Sequence, residues 1–368
     1  MQMKNIIQAI ICMALIFSIV GCAGQHDLVQ QLAAESSVKR AITDMAGRTV
    51  MLPQKIHKIY PASPIGSVFV YTIDPELLIG WSYHMASDES KFILPNYRKL
   101  PVVGGWSAQN ATGNIEEIMR LKPDVILIMK TLNNSDVAAA DELQDLTHIP
   151  VVIIDGAIEK MDQAYLMAGT VLGQEERTKE LAAYCRETLD TIAAGKNVLA
   201  QRRPVTVYYA EGHDGLESEP MNSEHSQIIE LVGGVNVVGQ DIPGGINFGR
   251  TRVLLEQVLI WNPEVILIGY FRDGESSSFP QIMVSKEWKD IQAVRNHRVY
   301  EIPNHPFNWF DRPPAINRLI GIKWVANLLY PDVYPLDLRA EVQYFYTLFY
   351  HYQLSEEETK ELLERTQN

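Results

Sequence analysis

EEIMRLKPDVILI at residues 116–128 returns about 140 residues later as EQVLIWNPEVILI at residues 256–268, with six of thirteen positions identical and no gap. Each copy reads as a helix stopped by a proline-containing connection and followed by an uninterrupted apolar run. Such a run, without polar alternation, is the pattern of a strand buried on both faces. Two copies of one helix–strand unit imply two similar α/β lobes.

Outward from the copies the same alternation continues. Lys58–Tyr60, Leu77–Trp81 and Val151–Ile154 punctuate helical stretches in the first half; Val205–Tyr209 and Val299–Ile302 do so in the second. This predicts two similar Rossmann-like α/β lobes with mostly parallel sheets, whose ligands sit beyond the carboxyl ends of the strands. Between the copies, Leu181, Tyr184, Leu189 and Ile192 recur at helical spacing within Glu175–Ala200, after a break at Gly173. One helix of that length reaches roughly 35–40 Å, enough to bridge two lobes and to limit hinge motion between them. The organisation expected is a leader at 1–21, a tether at 22–40, a first lobe at 41–160, a helical region at 161–200 that includes the bridge, a second lobe at 201–331 and a helical appendix at 332–368.

The first residues set the compartment. Lys4 precedes an apolar run from Ile6 to Val20 that closes on Gly21-Cys22. The run is shorter than the ~20 residues of a membrane span and fits a secretory leader. Ile19-Val20-Gly21-Cys22 resembles the bacterial lipobox, which makes Cys22 the expected lipidated first residue of an extracytoplasmic, membrane-anchored protein. Of three cysteines only Cys22 and Cys185 would then remain. A lipidated Cys22 leaves Cys185 no disulfide partner, so the fold must rest on core burial. The net charge of −13, without a basic run, argues against nucleic acid as a partner.

At this point the chain resembles a known family, the solute-binding proteins of ABC importers for ferric siderophores, haem and cobalamin. The residues that carry the likeness are Ile42-Thr43-Asp44-Met45-Ala46-Gly47-Arg48-Thr49-Val50, both repeat copies, and Ile228-Ile229-Glu230-Leu231-Val232-Gly233-Gly234-Val235-Asn236-Val237. It covers Ala41 to about Pro331. The resemblance implies a monomer that binds a metal chelate between its lobes, most readily an iron complex, and delivers it to an ABC permease and its ATPase. Haem, cobalamin and nickel or cobalt chelates are the alternatives, and no resident cofactor is expected. Family members dock on the permease through one acidic residue per lobe, and the repeat-equivalent Glu116 and Glu256 occupy those positions.

The loops beyond the expected strand ends carry the candidate cleft residues Tyr83, His84 and Trp106 from the first lobe. The second lobe adds His213, Arg250, Tyr270, Arg272, His305, Trp309 and Arg312. Rings suit an organic shell and guanidinium groups suit carboxylate or catecholate oxygens. No H-E-x-x-H or C-x-x-C spacing points to a metal site, which leaves His213 and His305 as the leading histidines for any direct contact with metal. An enzyme is the rival reading, without support from a G-x-S-x-G elbow or a phosphate loop. In the tail, Ser355 and Glu358 form a capping box, and the aromatics of 344–352 are expected to pack on the second lobe.

Overall fold

The computed structural model describes residues 39–85, 89–106, 112–133, 135–221, 223–239, 250–269, 277–364 and 366. The leader, Cys22 and most of the tether lie outside them. The described chain opens on an antiparallel hairpin of β1 (Lys39–Thr43) and β2 (Thr49–Pro53). The first lobe follows as β3 (Ile59–Pro61), α1 (Pro64–Ile73), α2 (Ile115–Leu121), β4 (Val125–Lys130), α3 (Asp136–Thr147) and β5 (Val151–Asp155). Its three strands are parallel, in the order β3-β4-β5. Helices α4 (Met161–Leu172) and α5 (Glu175–Leu199) lead across to the second lobe.

There β6 (Thr206–Ala210), β7 (Glu217–Ser218), α6 (Gln227–Leu231), β8 (Val235–Asn236) and β9 (Thr251–Arg252) precede α7 (Leu255–Trp261) and β10 (Val265–Ile268). Helices α8 (Phe279–Val284) and α9 (Gln292–Arg295), strand β11 (Val299–Glu301) and α10 (Asn317–Leu329) complete the lobe. Its sheet is parallel, in the order β11-β10-β6-β8, while β7 and β9 form a small antiparallel pair at one side. The tail consists of α11 (Leu338–Tyr350) and α12 (Glu356–Leu362).

The duplicated unit behaves alike in both lobes. Helices α2 and α7 end on residues in the left-handed conformation, Lys122 (φ 50°) and Asn262 (φ 45°), each directly before the repeat proline. The acidic residue after that proline ties down the neighbouring strand. Asp124 accepts from the amides of His57 and Lys58 at 2.7 and 2.9 Å, and Glu264 accepts from the amide of Thr206 at 3.2 Å. Strands β4 and β10 then run through the interior of their sheets, which explains why neither copy alternates. Val125, Leu127 and Met129 face a core shared by the whole molecule, while Ile126 and Ile128 face a separate outer core; Val265 and Leu267, against Ile266 and Ile268, divide the same way.

One expected strand does not form. Asp74 caps a single 3₁₀ turn over Pro75–Leu77, so the run Leu77–Trp81 keeps only the isolated bridges Ile59↔Leu78 and Trp81↔Val102. The turn takes Leu77 out of extended geometry and so shortens what hydropathy alone reads as a strand.

The long helix α5 spans about 37 Å and touches both lobes. Near its start Thr178 meets Gly169 of α4, and near its end Leu199 meets Gly233 of the second lobe. The tail does more than pack on the second lobe. Tyr71 of α1 donates to the carbonyl of Tyr350 at 3.2 Å, and Arg177 of α5 donates to the carbonyls of both Thr72 and Leu348. Trp309 Nε1 of the second lobe donates to the Tyr346 hydroxyl at 3.2 Å. Phe345 and Phe349 pack against Tyr184, at centroid distances of 5.7 and 5.2 Å. Each such fully buried ring contributes roughly 1.5–3 kcal/mol, so α11 joins first lobe, bridge and second lobe into one core. The Ser355–Glu358 capping box opens α12 as the sequence predicts. No helix among the described residues is long and apolar enough to cross a membrane.

A β-carbon at Gly195 in α5 would lie 2.2–2.4 Å from the ring of Tyr334. In an open helix, glycine to alanine stabilises by about 1 kcal/mol. Here Gly195→Ala is expected to destabilise by about 1–3 kcal/mol in urea titrations, because ring and helix must separate. A stabilised variant would show that the contact is not tight.

Candidate functional site

Strand β6 delivers its last residue, Ala210, into the interior and places Glu211 immediately beyond the carboxyl end, 1% exposed. A tight turn follows, in which the amides and carbonyls of Glu211 and Glu217 bond each other at 2.7 and 3.1 Å and Gly212 and Gly215 take positive φ. The turn returns the chain so that Glu219 lies beside Glu211. From the other side, the loop after β11 is held by Asn308, whose side-chain oxygen accepts from the amides of Phe310 and Asp311 at 2.9 and 3.2 Å. That loop brings in Asp311 and Arg312. Arg250, just before β9, supplies the second guanidinium.

These groups form one buried network. Glu211 Oε1 lies 2.9 Å from Arg250 Nε and 3.1 Å from Arg312 Nη2. The same Arg312 nitrogen donates to Glu219 Oε1 at 2.9 Å, and Arg312 Nε stands 3.3 Å from Asp311 Oδ2. Asp311 Oδ1 accepts from the Tyr209 hydroxyl at 2.9 Å, Glu219 Oε2 accepts from the Ser223 hydroxyl at 2.8 Å, and His225 Nδ1 stands 3.2 Å from Asp311 Oδ2. Three carboxylates thus share two guanidinium groups and one imidazole away from water.

The titration of the network follows from its burial. Burial pushes the Glu211 carboxyl up to about 7, helped by the negative charge of Asp311 and opposed by both arginines. Burial also raises Glu219, against His225, Ser223 and Arg312. For Asp311 the penalty of burial is outweighed by Arg312 and His225, which hold it below the usual carboxylate range. Burial opposes the charged form of His225, yet its contact with Asp311 prevails and raises it.

The network sits where the lobes meet. Thr131, just past β4, donates to Glu224 Oε2 at 3.2 Å, and Gln227 donates to Glu159, past β5, at 2.6 Å. Residues 224–227 therefore carry the contact between lobes, with His225 inside that segment. Arg318, 2% exposed, braces Gln227 from behind at 2.7 Å.

Of the residues expected in the cleft, the structure brings Arg250 and Arg312 together here, but not as free cations. Their guanidinium groups are engaged by Glu211, Glu217, Glu219 and Asp311 instead of standing open for an anionic shell. Trp309 is a correction: it is fully buried, packed edge-on against Trp324 at 6.3 Å, because its indole N–H finds its partner in the tail. Trp106 is half-buried over the outer core of the first lobe, its amide bonded to the Ala62 carbonyl at 2.7 Å. Tyr83 is half-buried against the shared core, and His84 and His213 are exposed. His305 is half-buried at a separate pocket of about 340 Å³ between Lys91, Glu301 and Glu361. Tyr270 and Arg272 lie outside the described residues.

Glu219 and Asp311 were missed, and His225 was passed over for His213 and His305. The signal was slight: an acidic residue at the end of β6, and an Asp-Arg pair in the loop after β11.

With this geometry in view, comparison with known proteins is decisive. The family model described as periplasmic binding protein matches residues 102–306, more than half of the chain. The chain belongs to the periplasmic binding protein family. An ABC transporter solute-binding protein from Sulfurospirillum deleyianum is 31% identical, with a TM-score of 0.78 over 88% of this chain and 99% of that one. The molybdate-binding protein MolA of Haemophilus influenzae is 25% identical over 88% of this chain and 94% of its own. A vitamin B12-binding protein of Pectobacterium atrosepticum is 25% identical over 53% of this chain and 70% of its own. The protein is thus an extracytoplasmic-type solute-binding component of an ABC transporter and not an enzyme.

Arg312→Met leaves the three carboxylates with Arg250 and His225. Removing one partner of a buried ion cluster costs about 3–5 kcal/mol, expected here at pH 8 in urea titrations. The unpaired carboxyls then titrate higher folded than unfolded, so the native state holds extra protons between about pH 4.5 and 7, and the deficit shrinks at pH 5. A pH-independent deficit would place the cost in packing instead of charge.

Proposed function

We propose that this binding protein captures a metal-centred solute at the junction of its lobes and passes it to the permease. The observation that carries the reading is the buried network of Glu211, Glu219, His225, Arg250, Asp311 and Arg312, set beyond the strand ends of one lobe and against the other. Ligands of open α/β sheets occupy that position. The relatives named above bind molybdate and vitamin B12, solutes that differ in size and charge yet share a metal centre.

The charge balance narrows the class. Because Arg250 and Arg312 already serve internal carboxylates, a polyanionic shell such as a ferric catecholate must compete with three buried acids for them. A metal complex of low net charge meets no such competition. Iron complexes of that kind, cobalamin, and nickel or cobalt chelates therefore fit better than highly charged siderophores.

Delivery follows from the repeat. Glu116 and Glu256 stand exposed in the first turns of α2 and α7. A repeat-related pair of carboxylates suits the two like subunits of a twofold permease. Lipidation at Cys22 would keep the protein near that partner, acting as a monomer.

The test of cargo is fluorescence titration of the leader-free protein with ferric siderophores, haemin, cobalamin, molybdate, and nickel- and cobalt-histidine. Saturable binding of one metal class, weakened at least tenfold by Glu211→Gln, is the expected result; silence across the panel would refute the reading. For docking, the double variant Glu116→Lys/Glu256→Lys is expected to keep cargo affinity while uptake into cells carrying the transporter falls at least tenfold. Unchanged uptake would remove both residues from the interface.

A further inference from the structure

The network described above buries three acids together. Glu211, Glu219 and Asp311, all at most 1% exposed, are held by two guanidinium groups and the imidazole of His225. Carboxylates in such a place are strongly unfavourable unless cations share them.

The geometry shows where a metal ion can join those cations. One donor atom each from Glu219, His225 and Asp311 lies within 4.8 Å of the other two. A first-row transition ion holds nitrogen and oxygen donors at about 2.0–2.2 Å, so neighbouring donors of one ion stand roughly 3–4 Å apart. Small side-chain movements close the three around a single ion. A second observation points the same way. His225 Nδ1 and Asp311 Oδ2 stand 3.2 Å apart as an ion pair without the alignment of a hydrogen bond. A metal ion that displaced the imidazole proton would join both atoms directly.

We propose that Glu219, His225 and Asp311 ligate the metal of the cargo directly, completing the coordination sphere of a divalent first-row ion that arrives in a small anionic chelate with positions open. This rests on the reading of the protein as a carrier of metal-centred solutes. One imidazole and two carboxylates suit nickel, cobalt, zinc or copper, since hard and borderline donors are mixed. Arg312 is the resident counter-cation of these acids, with Nη2 on Glu219 and Nε beside Asp311. When the metal takes those two acids, Arg312 keeps Glu211, and the positive charge gained is balanced by the anionic shell of the complex. His225 provides the entry, because its side chain is 19% exposed and lies in the segment that touches the first lobe.

The experiment is a titration of the leader-free protein with CoCl₂, NiCl₂ and ZnCl₂, alone and as their citrate and histidine complexes, with cobalamin and molybdate alongside. Calorimetry gives stoichiometry, and the visible d–d bands of cobalt give ligation. The expected result is one equivalent of metal, with nitrogen–oxygen cobalt bands that His225→Gln abolishes. Affinity falls at least tenfold in His225→Gln, Glu219→Gln and Asp311→Asn, and is unchanged in His57→Gln, whose side chain is exposed on the first lobe. Circular dichroism and melting of His225→Gln, the least buried of the three, separate lost ligation from lost fold. Equal binding of the metal complexes by folded His225→Gln overturns the inference and leaves the carrier reading standing. So does saturable binding of cobalamin or molybdate with none of the first-row metals. Silence to every compound overturns both.

Discussion

The apolar seam that α5 and α11 make along both lobes is the constraint on which the rest of the structure depends. Cys185 is buried and unbridged, so among the described residues no disulfide fixes one sheet against the other. The work falls to Tyr165, Tyr184, Phe345, Phe349 and Tyr350, whose rings form a continuous pile between α1, α4 and α5 on one side and Phe307 and Trp309 on the other. Arg177 threads this seam and satisfies carbonyls of α1 and α11 at once. Separating the lobes would expose those rings and unpair those carbonyls together. Capture and release of solute must therefore rest on small movements of loops and side chains, because a wide hinge opening breaks the core.

A site between lobes that barely move has to be assembled in advance. The asparagines Asn308 and Asn317 do this for the loop after β11, with Asn317 donating to the carbonyl of Pro313 at 3.0 Å and also to that of Asn308. Asn236 does the same for the Glu219 segment, donating to the Glu219 carbonyl at 2.9 Å. These buried amides leave the carboxylates little freedom to turn away from one another. Held in place, like charges share whatever cation is near, and Arg312 with Arg250 is the internal answer. On the proposed reading the network is a polarised surface prepared before the solute arrives.

The scaffold was legible because its signals are periodic and local. The repeat identified the interior strands of both sheets, and its proline and acidic positions proved to do the same work twice, at Asp124 and Glu264. The helical spacing around Tyr184 gave α5 to within a residue of its end. The site was much less legible, for a physical reason. Its members join residues about a hundred positions apart, such as Glu211 with Arg312 and Tyr209 with Asp311, and its charged members lie outside the periodic segments. Arg250 and Arg312 could be placed near strand ends, but their pairing depends on Glu219 and Asp311, which announce themselves only in three dimensions. Trp309 was misplaced because an aromatic in a loop reads the same whether it lines a cleft or anchors a tail, and the tail carries the deciding partner, Tyr346.

Duplication gave the two lobes one framework, yet their strand ends have diverged in kind. In the first lobe the charges beyond β4 and β5 are settled locally and near solvent, as Lys130 with Asp136 at 3.0 Å and Lys160 with Asp155 at 2.7 Å. Such pairs contribute little to stability and impose no demand on a visitor. In the second lobe the equivalent region is buried, with three acids sharing two guanidinium groups and one imidazole, and on the proposed reading it is the half that discriminates. On the same reading the first lobe serves as a cover whose contacts, Thr131 and Glu159, are neutral or singly charged hydrogen-bonding groups able to exchange with water as solute enters. A symmetric framework thus supports an asymmetric arrangement of charge: on the proposed reading the shared helices α2 and α7 offer one exposed acid each to a twofold permease, while selectivity falls to the one lobe that buries its charge.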